Sequence, residues 1–120
     1  MENKIEKFED LLIWQDGVEL SVQIYAHFKE CKDYGFRDQV QRASVSIPSN
    51  TAEGFDRLSN NEFIRFLKIA KGSCAELRTQ LIIAQKVGLL ADSTELIEHT
   101  KKLSAMIQKM ISYRDGIRKK

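Results

Sequence analysis

The sequence predicts an all-α protein, an up-down-up-down antiparallel four-helix bundle, and three observations carry that expectation. The 120 residues include one proline and six glycines, too few turn formers for the many short strands of a sandwich or barrel. Four segments repeat apolar residues at gaps of three and four, the period of a helix face. The connections between them are short, which makes consecutive helices antiparallel neighbours. A chain of this length holds one core. Residues 1–120 therefore read as a single domain, with helices at about 11–30, 36–53, 60–87 and 93–113.

In the first helix the apolar positions Leu11, Trp14, Val18, Val22, Tyr25 and Phe28 define one stripe, and Asp10 is the expected N-cap. "CKDYGF" breaks the pattern. The second helix places Phe36, Val40, Ala43 and Ile47 on one face and is expected to end at Gly54, a left-handed C-terminal position. Ser59 and Glu62 open the third as an S-x-x-E capping box. Phe63, Leu67, Ala70, Cys74, Leu77, Leu81 and Ala84 follow, and Gly88 closes it. The fourth opens at Asp92 and runs through Leu96, Leu103, Met106, Ile107, Met110 and Ile111.

Helix three is apolar beyond a single stripe. Phe66, Ile69, Ile83 and Val87 spread down one flank, and Ile64, Ala75 and Ile82 down the other. In a four-helix bundle no helix is central, so this excess predicts self-association through a second buried side.

Composition excludes several function classes. No apolar run approaches the roughly 20 residues of a membrane span, and "MENKIEKFED" carries no signal-type apolar segment. Cys31 and Cys74 show neither metal-ligand spacing nor a disulfide framework. A reduced, cytoplasmic protein is expected. Net charge is +2, but unevenly spread. Residues 1–38 carry five Lys/Arg against nine Asp/Glu, whereas 39–91 and 92–120 each carry seven against four. The basic two-thirds permits a nucleic-acid face.

"QRASVSIPSNTAEG" places Pro48 inside helix two, among Ser46, Ser49 and Asn50. Proline removes one N–H and releases the carbonyl four residues back. Either the helix ends near Ile47 in a Pro-Ser-Asn turn, or it continues with a bend. Gln39, Arg42, Ser46, Asn50 and Glu53 form one polar stripe bordering the core only if helical phase persists. Continuation to about Ala52 is therefore predicted.

"DQVQRASVSIPSNTAEG", followed by "EFIRFLKIAKGSCAELRTQLIIAQKVGLL", closely resembles the 23S rRNA-intervening sequence protein family, also called four helix bundle proteins. The family pattern is matched by Gln39, Arg42, Ala43, Ser46, Ile47, Asn50, Ala52, Glu53 and Gly54. It continues with Phe63, Phe66, Leu67, Ala70, Gly72, Ser73, Glu76 and Leu77. Thr51 departs from it, standing where the family has a larger aliphatic residue. The resemblance spans about Phe8 to Met110. It implies a bundle whose second helix runs through its proline and which assembles into a ring, typically a homopentamer. The same fold occurs in the accessory variability determinant of diversity-generating retroelements, which binds a reverse transcriptase and nucleic acid. Family members are often encoded inside insertions in ribosomal RNA genes, and their biochemical role is not established.

Little in the sequence points to catalysis. His27 and His99 lie on different helices without companion ligands and read as surface histidines. Glu53 and Glu76 are the only carboxylates inside the motif, and Glu76 is expected to pair with Arg42 between helices two and three or across subunits. Gly72, alone in mid-helix, is no phosphate loop; like Gly17 it is expected to permit close helix approach. No enzyme activity, cofactor or metal is therefore expected. Candidate nucleic-acid contacts are Arg57, Arg65, Lys68, Lys71 and Arg78, then Lys101, Lys102 and Lys109, with a basic tail of Arg118, Lys119 and Lys120. The structural motif comprises Gln39, Arg42, Ser46, Pro48, Asn50, Glu53, Gly54, Gly72 and Glu76. Repeated around a ring, the basic residues would bind phosphates by counterion release, with RNA or DNA as partner. The alternative is a protein-binding scaffold, an accessory subunit for a polymerase or reverse transcriptase.

Overall fold

A computed structural model describes residues 4–118, the side chain of Arg118 excepted. After a 3-10 turn at Phe8–Asp10 come α1 (Leu12–His27), α2 (Tyr34–Asp56), α3 (Asn60–Lys86) and α4 (Thr94–Arg118). No strand occurs among the described residues. Each helix packs against its sequence neighbours, and α4 closes back on α1, while helices at opposite corners make no close backbone approach. The chain is therefore a square four-helix bundle, as its short connections require.

The α3 heptad predicts its burial well: Phe63, Leu67, Ala70, Cys74, Leu77, Leu81 and Ala84 are all buried. They meet Val40, Ala43 and Ile47 of α2 and Leu96, Leu103, Ile107 and Ile111 of α4. Burial pushes the Cys74 thiol up to about 12, so it remains protonated and packs as a small apolar group.

Helix α1 corrects its predicted stripe. Its core face is Ile13, Gly17, Leu20, Ser21, Ile24 and the following Phe28, whereas Val22 and Tyr25 are exposed. Trp14 and Val18 are half-buried. The helix has two apolar arcs roughly 115° apart, and the buried one includes the small residues that let α2 come close. A Cβ on Gly17 would lie 3.4 Å from Pro48. Beside it the Ser21 and Ser44 hydroxyls are 3.1 Å apart. Ser44 donates its proton to the Gln41 carbonyl at 2.8 Å, so Ser21 is the donor between them.

Helix α2 runs through Pro48, as its stripe predicts, and on to Asp56. It begins at Tyr34, two residues before the expected start, because Asp33 caps it by accepting from the Phe36 N–H at 3.1 Å. Thr51 is fully buried and satisfies its hydroxyl on the Ile47 carbonyl at 2.9 Å. Gly54 does not end the helix. It lies inside α2, buried against Phe66, and the left-handed position in the following turn is taken by Leu58 at φ 57°. At the end of α3, Gly88 has φ 83°, as expected of a closing glycine.

Other ends also differ. Asp10 belongs to the 3-10 turn, and the N-cap of α1 is Leu11, whose side chain cannot accept a hydrogen bond. Ser59 caps α3 by accepting from the Glu62 N–H at 3.3 Å. The Glu62 carboxylate turns to Arg65 and Arg57. Helix α4 starts at Thr94 and continues to Arg118, five residues past its expected end.

Candidate nucleic-acid interface

The eight candidate cations occupy three separate places. At the α2–α3 corner, Arg57 and Arg65 lie over the ring of Phe66 at 5.0 and 4.6 Å. Glu62 joins them, bonding Arg65 Nε at 2.8 Å and approaching Arg57 Nη1 at 3.6 Å, while Glu53 reaches Arg57 at 3.3 Å. The Arg65 hydrogen bond, with both guanidinium charges, holds the Glu62 carboxyl below its ordinary value. Two arginines thus meet two carboxylates, and this corner is close to neutral.

At the α1–α4 edge, Lys102 Nζ lies 3.7 Å from Asp16 Oδ1, and Lys109 lines an apolar hollow. Here the structure corrects the expectation for one histidine. His27 is exposed, but His99 sits between helices, its Nε2 3.0 Å from Asp16 Oδ1 and its Nδ1 3.2 Å from Gln23 Oε1. The partners, on another helix, are invisible in sequence spacing.

The third place is the groove between α3 and α4, of about 590 Å³, lined by Lys68, Lys71, Gly72, Ala75, Gln108 and Asp115 among others. Lys71 Nζ donates to Gln108 Oε1 at 2.7 Å. That contact marks the antiparallel register fixed by the buried core between the helices, and seven residues further along each helix, two turns, Arg78 comes opposite Lys101. Lys101 lies 3.4 Å from Glu98, whereas Lys68 and Arg78 make no ion pair among the described residues. Four of the eight candidates, Lys68, Lys71, Arg78 and Lys101, therefore share one face. Gly72 opens onto it: a Cβ there would meet nothing within 4 Å, so this glycine does not serve close helix approach. Of the basic tail, Lys119, Lys120 and the Arg118 side chain lie outside the described residues.

The motif residues build a different surface, a polar seam between α2 and α3. Asn50 Nδ2 donates to the Ser46 carbonyl at 2.8 Å and to Ser46 Oγ at 2.9 Å, and Ser46 Oγ lies 2.9 Å from Ser73 Oγ. Beside this network a groove of about 360 Å³ is lined by Gln39, Arg42, Ala43, Ser46, Glu76 and Gln80. Arg42 and Glu76 both line it, but they are exposed and form no ion pair within the chain, so the contact expected between helices two and three is not made. Being solvated, neither charge requires the other. Gln80 Oε1 is buried there without a hydrogen-bond partner among the described residues. Sequence reading missed Gln80, although its place four residues after Glu76 puts it on the same helix face.

A family model described as 23S rRNA-intervening sequence protein matches residues 9–109. The chain belongs to that family. For this 23S rRNA-intervening sequence protein, the motif residues supply the α2–α3 seam and the buried α2–α3 contact at Gly54. A crystal structure of a protein of unknown function from the S23 ribosomal protein family of Bacteroides thetaiotaomicron is similar, with TM-score 0.77. Its sequence identity is 20%, and the match covers 83% of this chain and 98% of that one. At that identity the likeness shows a shared fold. No curated protein matches the sequence. No helix among the described residues is long and apolar enough to cross a membrane.

Proposed function

We propose that this 23S rRNA-intervening sequence protein is a homo-oligomeric RNA-associated module, a binding protein and not an enzyme. The observation that carries the reading is the α3–α4 groove. Lys68 and Lys71 line it, Arg78 and Lys101 lie two turns further along the same face, and among the described residues Lys68 and Arg78 make no ion pair. A phosphodiester chain along it would release counterions at each cation. Among the described residues no aromatic ring lines the groove as a stacking platform, so recognition rests on backbone charge and shape. Assembly would repeat the face once per subunit, as in the ring the family resemblance implies.

The test is fluorescence anisotropy of a labelled single-stranded RNA across a salt titration. Wild-type affinity is expected to fall steeply with salt. Lys68→Gln with Arg78→Gln should flatten the log-log slope by about 0.7 per lost phosphate contact. Lys102→Gln with Lys109→Gln, on the other edge, should leave it unchanged. Absence of RNA binding at low salt overturns the reading.

A second reading, a protein scaffold serving a polymerase or reverse transcriptase, is favoured by one observation. Ile69, Ile83 and Val87 remain exposed along the α3 flank beside the α2–α3 seam. In that case RNA binding fails while assembly persists.

A further inference from the structure

On the side of the bundle opposite the α2–α3 seam, α1 and α4 meet along an apolar groove of about 510 Å³. Its floor is Leu11, Ile13, Met106 and Met110, and its lips are Leu12, Tyr113 and Ile5. The lips are open to solvent: Leu12 is 69%, Tyr113 63% and Ile5 39% exposed. A second hollow continues it past Leu12 and Met106 to Asp16, Glu19 and Lys102. The two rims differ in charge. Lys109 stands on the α4 side and Asp10 and Glu19 on the α1 side, while Lys102 and Asp16 meet at 3.7 Å and close its far end.

We infer that this groove docks one amphipathic helix of a partner protein, carrying cations on one flank and anions on the other. Each part of that description follows from the walls. The α4 wall is a helix hydrogen-bonded along its length. The α1 wall, which begins in the 3-10 turn, offers only the first-turn N–H groups of Leu12 and Ile13. An extended segment would therefore lay most of its own N–H and C=O groups unpaired over an apolar floor. A helix satisfies its backbone internally and presents only an apolar stripe. The α4 wall from Lys102 to Tyr113 is about 16 Å long, three turns of such a helix. Met106 and Met110 are unbranched and adapt to whatever apolar side chains enter. The acidic rim repels a polyanion, whereas opposite-charged rims complement a helix with one basic and one acidic flank. The inference is independent of RNA binding, which uses another face.

The probe is a set of three labelled amphipathic peptides of about four turns sharing one apolar stripe. One has a Lys flank and a Glu flank, one Glu on both, one Lys on both. Anisotropy is expected to show the mixed peptide binding at least about tenfold more tightly than either control. Leu12→Glu and Tyr113→Glu, at exposed positions that leave the core intact, should each weaken it about tenfold or more. Ile83→Glu, on the α3 flank, should not. Failure of the mixed peptide to bind, equal binding of all three, or insensitivity to Leu12→Glu and Tyr113→Glu each overturns the inference. So does loss of oligomer mass in those two variants, which would assign the groove to a second copy of this chain.

Discussion

A Cβ built on Gly54 would lie 2.5 Å from the Cβ of Phe66 and 3.4 Å from the Cα of Phe63. The obstacle is the root of a buried side chain beside backbone, with little freedom to yield. Gly54→Ala should therefore cost about 1–3 kcal/mol as an overpacked core. Gly72 is the internal control, since a Cβ there meets open space. Gly72→Ala should stabilise by roughly 0.5–1 kcal/mol, because alanine loses less backbone entropy in a helix. Denaturant midpoints at unchanged slope measure both. A neutral Gly54→Ala would show that α2 and α3 are less closely packed than described. In sequence the two glycines look alike, each alone among helix formers. Only the opposing helix separates them.

The start of α4 shows how a local device can be legible while its geometry is not. Asp92 and Glu95 suggest a helix opening, and Asp92 does act there. Its carboxylate accepts from Thr94 Oγ1 at 2.6 Å and from the Thr94 N–H at 2.9 Å. The side-chain bond first, then the backbone bond, lowers its pKa below the ordinary 3.8. A carboxylate with a depressed folded pKa contributes stability that is present above its unfolded value and lost as pH falls through the folded one. Asp92→Ala should accordingly be less stable than wild type near neutrality, and the deficit should close as pH drops below 3.8. Urea unfolding at a series of acid pH values measures it; a deficit independent of pH would exclude the carboxylate as its source. Helix α1 is the opposite case. Counting large apolar residues selects Val22 and Tyr25, yet the buried arc runs through Gly17 and Ser21 because α2 needs small neighbours at Ser44 and Pro48.

For the whole molecule the open question is what covers α3. Of its two predicted apolar flanks, the fold itself buries Phe66 at 6% exposure and Ile64 at 2%, while Ile69, Ile82, Ile83 and Val87 remain exposed. Burying an isoleucine is worth about 1.5–3 kcal/mol before ordering costs, so several per interface would sustain assembly. A closed ring needs a head-to-tail contact between two different surfaces, and a pentamer is the expected closure. Sedimentation equilibrium at micromolar concentration should give a multiple of the 13.8 kDa chain mass. Ile69→Glu with Ile83→Glu should return the mass to that of one chain. A wild-type monomer would show that these residues are simply solvated.

Four helices, their antiparallel order and the entire α3 core stripe were determined by the sequence alone, because helical periodicity and short connections are local properties of the chain. The continuation of α2 through Pro48 was legible for the same reason, as one polar stripe in a single phase. The candidate site was legible only in part. Residue type marks Lys68, Lys71, Arg78 and Lys101 as cations, but their common face depends on the α3–α4 register that the buried core fixes and the Lys71–Gln108 contact marks. The same holds for His99 held by Asp16 and Gln23, for Arg57 brought to Glu62, and for Arg42 and Glu76 left unjoined within the chain. Tertiary structure decided these, because each depends on the distance between side chains that the sequence places on different helices or far apart along one face.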